Sequence, residues 1–556
     1  MAETTPRHKY LTRWGQLKTE RATWWAHWKE LSDNLLPRSG RFFVQDRNRG
    51  QRRHNAIYDS TGTRALRVLA AGMMSGMTSP ARPWFRLATS DPELMNAPNV
   101  KLWLDDVTRI MHTVFQRSNT YRSLHAMYEE LGAFGTGAAL VMPDHKNVIH
   151  HYPLTMGEYA VATNWRGEVD TLYREFQKTV RELVTEFGIE NCSNTVKNMF
   201  DRGTLDAWVT VIHCIEPRSD RDPAKVDDLN MAWKSVYFEL GSDHNKVLRE
   251  SGFKRFPAVV PRWATSGGDV YGNSPGMEAL GDIKQLQHEQ LAKAKGINFK
   301  IDPPLQVPTS LKNRDIDRLP GGITYVDSAN PSAAIKTAYD VNLDLSHLLA
   351  DIQDVRGRIN GCFYADLFLM LANQSDARMT ATEVAERHEE KLLMLGPVLE
   401  RLQNELLDPL IEMTFDQIME AGIAPPPPEE LQGSPINVEL VSMLAQAQRA
   451  VGTNSIDRFI GNLGAVAQFK PEVLDKLDAD KWADIYADSL GLPAQIMVAD
   501  DQVQALRQQR AQAQQAAQQA ALMNQQADTA NKLAAAKTGG EPNALTDVTR
   551  AFSGYT

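Results

Sequence analysis

The sequence predicts an α+β fold in which helices predominate. Apolar residues recur at spacings of three and four over long stretches, and this periodicity is typical of helices with one buried face. Between residues 138 and 263 the pattern changes to short strand-like pieces separated by turns. Residues 500–537 are rich in Ala and Gln and contain neither Pro nor Gly, which favours one further long helix.

Length and composition limit the classes of protein that fit. A chain of 556 residues exceeds what one core usually serves, so we expect two or more structural regions. The net charge of -9 argues against a protein that grips nucleic acid by broad neutralisation of phosphates, but it allows a channel through which DNA slides. The 3 Cys residues lack metal-ligand spacing, so neither a disulfide framework nor a zinc site is expected. We find no secretory signal, and no apolar stretch reaches the roughly 20 residues that cross a membrane.

The N-terminal region begins with an amphipathic helix over residues 10–35, which Pro37 ends. Its Trp stripe is interpreted as packing, with a nucleobase-stacking platform as the alternative. The basic loop at residues 47–54 is interpreted as a solvated charge run, and contact with DNA or an acidic neighbouring subunit is the alternative. Ser60 or Thr61 can cap the next helix. Helical patterns follow at residues 100–117 and 119–134.

The central region predicts strands with mostly local, antiparallel pairing. Strands are predicted at residues 138–142, 148–152, 158–163, 168–177, 205–216, 235–240 and 258–263. A helix at residues 179–187 interrupts the series.

Two helices then flank a compact insertion. Residues 275–300 and residues 342–371 each carry apolar side chains along one side. Between them, residues 301–341 hold prolines and glycines that predict short strands and turns. We therefore expect a hairpin-like stem with a folded tip.

A polar loop at residues 372–379 precedes the longest periodic stretch, residues 380–424. That stretch predicts a helix of about 60 Å, which Pro397 and Pro409 should kink. Further helices are predicted at residues 438–451, 455–467, 471–477 and 479–490. Residues 500–537 form either a single helix or a disordered Gln-rich tail, and residues 538–556 are expected to be a mobile tail.

Patterns that would carry catalysis or bind metals are few. Gly272-Asn-Ser-Pro-Gly276 matches the nucleophile elbow of hydrolases, but Pro275 lacks the backbone N–H that this mechanism uses as an oxyanion donor. We interpret it as a turn in which Ser274 precedes a helix, with a hydrolase as the alternative. Gly132-Ala-Phe-Gly-Thr-Gly137 predicts a helix C-cap rather than a phosphate loop. His150-His151 and the pair Asp315 and Asp317 lack further ligands and are interpreted as surface polar residues.

Several runs of residues are specific enough to indicate a family. They include Arg358-Ile-Asn-Gly-Cys-Phe-Tyr-Ala-Asp-Leu-Phe368, Ala372-Asn-Gln-Ser-Asp-Ala-Arg-Met-Thr-Ala-Thr-Glu-Val-Ala-Glu386 and Leu395-Gly-Pro-Val-Leu-Glu-Arg-Leu402. Others lie at residues 61–66, 71–76, 79–85, 271–276 and 444–448. Together they resemble the portal proteins, or head-to-tail connectors, of short-tailed bacteriophages over most of the chain.

The resemblance implies a portal-type ring subunit and gives each region a role. The regions are a wing (1–274), a stem helix (275–300), a clip (301–341), a second stem helix (342–371), a tunnel loop (372–379), a long kinked helix (380–424), a crown (425–499), a C-terminal barrel helix (500–537) and a tail (538–556).

The resemblance also implies a function. We expect a ring of twelve subunits at one capsid vertex of the virion, through which double-stranded DNA is packaged and ejected without sequence specificity. The packaging terminase ATPase and later tail adaptor proteins would dock on the ring, and major capsid and scaffolding proteins would surround it during assembly in the host cytoplasm. No ATPase motif, catalytic residue, metal site or cofactor is expected. The alternative is a helical ring-forming scaffold or adaptor without a DNA conduit.

Candidate channel residues come from the stem and the tunnel loop. Lys284, Lys293, Lys295, Arg356 and Arg358 are candidates to face the bore, where spaced cations could contact phosphate without reading sequence. Exposed or intersubunit ion pairs are the alternative for each. The tunnel loop is expected to form the narrowest constriction. Its candidate residues are Asn373, Gln374, Ser375, Asp376 and Arg378.

Overall fold

The computed structural model divides into two compact units, Met1–Val451 and Gly452–Thr556. The structure describes residues 6–42, 57–89, 91, 94, 97–225, 227–241, 247–302, 305–306, 336–337, 346–372, 395–431, 436–441, 460, 462–466, 469–470, 472, 477, 479–482, 500–535, 548 and 550–552.

Two helices, α1 (Pro6–Glu20) and α2 (Ala22–Asn34), take the place of the single opening helix that was predicted. The break falls at Arg21, whose buried guanidinium donates a hydrogen bond to the Tyr159 carbonyl oxygen. A buried cation needs such a partner, and this long-range contact is invisible in the local sequence. Trp14 and Trp28 are buried, which confirms that the Trp stripe serves packing.

Helix α3 (Thr61–Met77), strand β1 (Phe85–Thr89), helix α4 (Pro98–Arg117) and helix α5 (Thr120–Phe134) follow. Ser60, one of the two predicted cap residues, occupies the N-cap position of α3, but its side chain forms no capping hydrogen bond. The Asp59 carboxylate accepts hydrogen bonds from the Thr61 backbone N–H at 2.9 Å and the Thr61 hydroxyl at 2.6 Å. Gly135 ends α5 with a φ of 78°, so the predicted C-cap is confirmed.

The central region holds the strands. In chain order they are β2 (Ala138–Asp144), β3 (Val148–Leu154), β4 (Tyr159–Thr163), β5 (Val169–Thr179), β6 (Trp208–Pro217), β7 (Trp233–Glu239), β8 (Arg249–Phe253) and β9 (Ala258–Val259). Strands β4 to β8 form a 5-stranded sheet in chain order, and β3, β2 and β9 form a 3-stranded sheet. All of these pairs are antiparallel, as predicted.

Both faces of the larger sheet are covered. Helix α1 packs Trp14 against one face, where its ring stacks on Tyr173 of β5 and belongs to the same core as Ile212 of β6. Helices α6 (Val180–Phe187) and α7 (Asn194–Asp201) lie between β5 and β6 in the chain and pack with Val211 on the other face. Neighbouring residues of one strand point to opposite faces, which explains why Val211 and Ile212 belong to different cores.

His151 of β3 corrects a prediction, because it is buried rather than on the surface. Its Nε2 lies 2.8 Å from the Thr120 hydroxyl oxygen. Burial, together with the neighbouring His150, lowers the pKa of His151 to about 4, so the ring is neutral at physiological pH.

The predicted hairpin is formed by α8 (Pro275–Ile301) and α9 (Ser346–Cys362). The second predicted helix is shorter than expected, because the chain bends at Tyr364, which has a φ of 53°, before α10 (Ala365–Ala372). Within the insertion, the described residues form the short antiparallel pair β10 (Leu305–Gln306) and β11 (Lys336–Thr337).

The described part of the long helix begins at residue 395 and changes its winding before Pro409. Residues Gln403–Leu407 form a π-helix, and α11 (Asp408–Glu420) continues from it. Proline cannot donate the usual helical hydrogen bond and its ring crowds the preceding turn, which a wider π turn accommodates. The predicted disturbance of the helix takes this form.

A strand replaces the start of the predicted helix at residues 438–451. Strand β12 (Ile436–Leu440) pairs antiparallel with β1, placing Val438 opposite Leu87. The prediction failed because β12 is short and its partner lies far upstream in the chain. In the second unit, α12 (Asp500–Ala535) is the predicted Gln-rich helix.

The largest core joins α2 to α5, the hairpin and the long helix. Small residues of α3 allow this packing. A Cβ atom added at Gly72 would lie 2.2 Å from the ring of Phe368, which follows from the close approach of α3 and α10. The tunnel loop after Ala372, residues 380–394, and most of the clip, crown and tail lie outside the described residues.

Candidate nucleic-acid interface on the helical hairpin

The hairpin is held together by an apolar seam. Ile283 and Leu286 of α8 pack with Ile352, Val355 and Ile359 of α9, and all five are buried. The two helices run antiparallel, since the contact between Arg358 and Asp282 lies at one end and that between Asp351 and Gln285 lies farther along.

Several apolar side chains in the far half of the hairpin are not covered by the residues that the structure describes. Ile297, Phe299 and Ile301 at the end of α8 are 37%, 48% and 76% exposed, and Leu349 of α9 is 42% exposed. Apolar side chains grouped at one end of an element are typical of an interaction surface.

Ser274 fixes the point at which α8 begins. Its hydroxyl oxygen accepts a hydrogen bond from the Met277 backbone N–H at 3.0 Å and donates one to the Ala133 carbonyl oxygen at 2.9 Å. Pro275 occupies the first helical turn, as the sequence predicted. The hydroxyl is buried and engaged as a helix cap, so the turn interpretation is confirmed.

Asp59 joins the chain before α3 to both helices of the hairpin. Its carboxylate accepts hydrogen bonds from Arg356 at 2.7 Å and Gln290 at 3.0 Å, in addition to those from Thr61. Burial would raise the pKa of Asp59, but the hydrogen bonds from Thr61 and Arg356 outweigh it and lower the pKa below its usual value. Arg356, a candidate channel residue, is therefore a structural cation in the isolated chain.

Two further candidates also form ion pairs within the chain. Lys284 lies 2.5 Å from Glu30 of α2. Arg358 contacts Asp354 at 2.6 Å and Asp282 at 3.2 Å. All three pairs are partly exposed, so each contributes little to stability, and each cation remains accessible to a competing anion.

Lys293 and Lys295 lie farther along α8. Lys295 is exposed and Lys293 is half-buried. Neither forms an ion pair with another residue that the structure describes. The other candidates, Asn373, Gln374, Ser375, Asp376 and Arg378, lie outside the described residues.

A buried carboxylate lies inside the hairpin. Glu289 of α8 accepts a hydrogen bond from Gln285 at 2.6 Å and faces Asp351 of α9. Burial raises the pKa of Glu289, and the Asp351 carboxylate raises it further. On the surface of the hairpin, Asp282 and Asp354 lie beside Arg358, so this surface carries both signs of charge rather than a continuous basic stripe.

Arg262 attaches the long helix to the strands. Its guanidinium and its backbone N–H both donate to the Glu405 carboxylate, with distances of 2.6 to 3.2 Å. The same guanidinium donates to the Gly167 carbonyl oxygen at 2.7 Å, and Arg401 adds a contact of 3.1 Å to Glu405. This network joins the β4–β5 turn, the chain after β9 and the π-helix. Arg262 is buried, which strengthens these hydrogen bonds.

Comparison with known proteins identifies the family. A family model described as "Bacteriophage head to tail connecting protein" matches residues 7–498. The chain belongs to this family of phage connectors. The connector is similar to the probable portal protein of Bordetella phage BPP-1, with 67% identity over 556 residues and 100% of both chains covered. It is also similar to the portal protein of Salmonella phage epsilon15, with 48% identity over 552 residues and 99% of each chain covered.

A more distant relative extends the family. The portal protein of Pseudomonas phage phiKMV is 23% identical over 500 residues, covering 86% of this connector and 90% of the relative. The connector is therefore a phage portal protein with a structural role at the head-tail junction of the virion. No helix in its described residues is long and apolar enough to span a bilayer. Those residues also contain no cluster of three or more His, Cys, Asp or Glu side chains suited to a metal ion.

Sequence reasoning named the cations of the connector but missed most of their partners. Asp354 lies four residues before Arg358, a spacing at which helical side chains meet, so this pair was detectable from the sequence. Asp59 and Glu30 lie in other elements, and no local pattern indicates their contacts with Arg356 and Lys284.

Proposed function

We propose that this connector forms a twelve-subunit ring at one capsid vertex and that double-stranded DNA passes through its axis during packaging and ejection. The exposed apolar end of the hairpin, at Ile297, Phe299, Ile301 and Leu349, carries the proposal. A lone subunit leaves these side chains in water, whereas a neighbouring copy beside the hairpin would cover them.

The dimensions of helices agree with such a ring. Twelve helices side by side at about 10 Å spacing make a circle roughly 38 Å across at their axes, which leaves a bore of about 28 Å. A duplex of about 20 Å would pass with little clearance and would present its phosphate charge to the wall. Helix α8 has 27 residues, and at about 1.5 Å per residue it could line roughly 40 Å of such a channel.

The charges of the hairpin suit a wall along which DNA slides. Lys284, Arg356 and Arg358 are balanced by nearby carboxylates, so they would attract phosphate weakly and release it readily. Lys293 and Lys295 would supply the less compensated positive charge. The tunnel loop, with Asn373, Gln374, Ser375, Asp376 and Arg378, would form the narrowest constriction with short polar side chains that do not grip the duplex.

The remaining regions receive roles by the same proposal. The clip at residues 301–341 docks the packaging terminase ATPase and later the tail adaptor. The wing at 1–274 and the crown at 425–499 meet the major capsid and scaffolding proteins during assembly in the host cytoplasm. The helix at 500–537 forms a barrel around the axis, and the connector itself performs no catalysis and needs no cofactor.

Electron microscopy of the purified protein tests the proposal. End-on views should contain rings of twelve subunits with an open axial channel wider than a duplex. Rings closed by side chains along the axis would instead support the alternative, a scaffold or adaptor without a DNA conduit. Protein that stays monomeric at high concentration would contradict both.

A further inference from the structure

The turn between β4 and β5 presents an exposed tryptophan on a well-fixed support. Trp165 is 86% exposed, and the Arg166 guanidinium lies 4.8 Å from its ring centroid. The Asn164 side chain accepts hydrogen bonds from the backbone N–H groups of Arg166 at 2.8 Å and Glu168 at 3.1 Å. We call residues 164–168 the knob.

The knob is also anchored from below. The Gly167 carbonyl oxygen accepts the 2.7 Å hydrogen bond from Arg262, whose guanidinium is buried against Glu405. A flexible loop would lose entropy on binding, whereas a turn held in this way has already lost it. Trp and Arg on such a support are the residue types that dominate binding energy in protein interfaces.

A pocket lies at the other end of the same hairpin of strands. It has a volume of about 340 Å³ and aromatic walls formed by Trp25, Phe42 and Phe176. Trp25 and Phe42 meet edge to face with their ring centroids 5.2 Å apart. The volume falls at the lower end of the range of pockets that take small organic groups, roughly 300–1,000 Å³.

Charged groups line the pocket between the aromatic walls. Arg21 is only 3% exposed, and its guanidinium carbon lies 4.8 Å from the centroid of the Trp25 ring. It forms no ion pair with a carboxylate among the described residues. Lys18 lies 4.0 Å from Glu175, and Glu158 pairs with Arg41. The pocket therefore offers cations suited to an aromatic face and carboxylates suited to an N–H donor.

The knob cannot reach the pocket of its own subunit. Glu158 and Glu175 lie beside the start of β4, where Glu175 donates its backbone N–H to the Glu158 carbonyl oxygen. Trp165 lies six residues after Tyr159, at the opposite end of the strand. At about 3.3 Å per residue the two features are roughly 20 Å apart.

We propose that the Trp165 knob of one subunit inserts into the Trp25–Phe42–Phe176 pocket of the next subunit around the ring. The contact joins two different surfaces, so repeating it from subunit to subunit produces a closed ring when the rotation closes. The inference rests on the proposed ring and adds the subunit contact that would build it.

The chemistry of the two surfaces matches. The indole face would lie among aromatic rings and beside Arg21 and Lys18, and Trp is the best partner for such cations. The indole N–H would donate to Glu158 or Glu175. Arg166 would remain at the rim of the pocket. Glu158 and Glu175 both line this pocket and would lie near its guanidinium.

Cysteine cross-linking tests the contact directly. Ala22 lines the pocket and is exposed, so the double variant Arg166→Cys/Ala22→Cys keeps Trp165 and places a thiol on each surface. Mild oxidation of assembled protein should give a ladder of covalent oligomers on a non-reducing gel, whereas each single variant gives none. Rings of the double variant that yield no ladder would overturn the inference.

A mixing experiment gives the second test. Trp165→Ala removes the knob, and Ala22→Trp fills the pocket while leaving the knob intact. Each variant alone should associate about thirtyfold more weakly in sedimentation, as expected for loss of an interface hot spot. An equimolar mixture should form dimers, because the knob of Ala22→Trp fits the pocket of Trp165→Ala. The control Leu102→Ala removes an exposed apolar side chain from α4 and should associate normally.

The outcomes separate this inference from the proposed function. Wild-type protein that forms no ring contradicts the proposed function. If the wild-type protein forms rings and Trp165→Ala associates as strongly as wild type, the proposed function stands. The knob-and-pocket contact is then refuted.

Discussion

Glu130 of α5 is a buried carboxyl group that should make folding depend on pH. It accepts hydrogen bonds from the Thr155 hydroxyl at 2.7 Å and the Met156 backbone N–H at 3.1 Å. Burial is the main cause that raises its pKa, to about 7. The folded chain therefore keeps a proton that the unfolded chain loses above its ordinary pKa of 4.5.

The sign of the effect follows. The stabilisation is complete below the unfolded pKa and is lost as the pH rises through about 7. Glu130→Gln mimics the protonated form, so relative to wild type it should gain about 2 kcal/mol in the free energy of unfolding between about pH 5 and pH 8. Urea titrations of both proteins at the two pH values measure this gain. The contribution of His151 is common to both proteins and cancels, and an equal difference at both pH values would contradict the prediction.

Ser274 gives a second prediction at the scale of single residues. Ser274→Ala removes the cap of α8 and leaves the Ala133 carbonyl oxygen without its donor, so the free energy of unfolding should fall by about 1–2 kcal/mol. Chemical denaturation measures the loss. Ser193→Ala, which removes the cap of α7 at Val196, is the matched control and should cost about 1 kcal/mol. A hydrolase would instead reveal itself as an esterase activity that Ser274→Ala abolishes.

At the scale of secondary-structure elements, the ion pair between Arg262 and Glu405 attaches the long helix to the strands. Arg262→Met leaves the Glu405 carboxylate poorly solvated and without its main partner, which should cost about 3–5 kcal/mol. The double variant Arg262→Met/Glu405→Leu removes both charges and should recover most of that loss. Thermal or urea unfolding of the two variants measures the difference, and additive losses would argue against the bridge.

How far the sequence could predict these elements depends on the range of their contacts. Helices α4, α5 and α8 show their own periodicity, and their predicted bounds agree with the structure to within a few residues. Strand β12 was missed because its pairing with β1 spans most of the chain. The division of the opening helix at Arg21 was also missed, and the hydrogen bond from the Arg21 guanidinium to the Tyr159 carbonyl oxygen is likewise a contact between distant parts of the sequence.

The candidate site divides in the same way. Lys284, Arg356 and Arg358 were named from their position in the stem pattern. The acidic partners of Lys284 and Arg356, Glu30 and Asp59, come from elements far away in the sequence, whereas Asp354 lies four residues before Arg358 on the same helix. The knob at Trp165 was recognised only as a turn, because exposure and anchoring by Arg262 are properties of the folded chain.

At the scale of the whole molecule, the exposed end of the hairpin should control assembly without controlling folding. Phe299→Asp places a charge where a neighbouring hairpin would pack, so subunit association should weaken by about tenfold or more. The melting temperature of the monomer should stay the same, because the side chain is already half in water. Sedimentation and thermal unfolding measure the two effects separately.

The matched control for this prediction is Leu229→Asp. Leu229 is also large and exposed but lies in a short 3-10 helix, Asp228–Asn230, outside the hairpin, so the introduced charge should leave association unchanged. Equal loss of association in both variants would indicate a general effect of added negative charge instead of a contact made by the hairpin.

The pairing of β1 with β12 bears on the order in which the protein is made. Phe85–Thr89 leaves the ribosome early, but its partner Ile436–Leu440 is translated only after most of the chain. At roughly 5–20 residues per second, the nascent strand waits on the order of twenty seconds to a minute with an unpaired edge. An open edge of this kind invites misassociation, so we expect chaperones to engage this segment during synthesis.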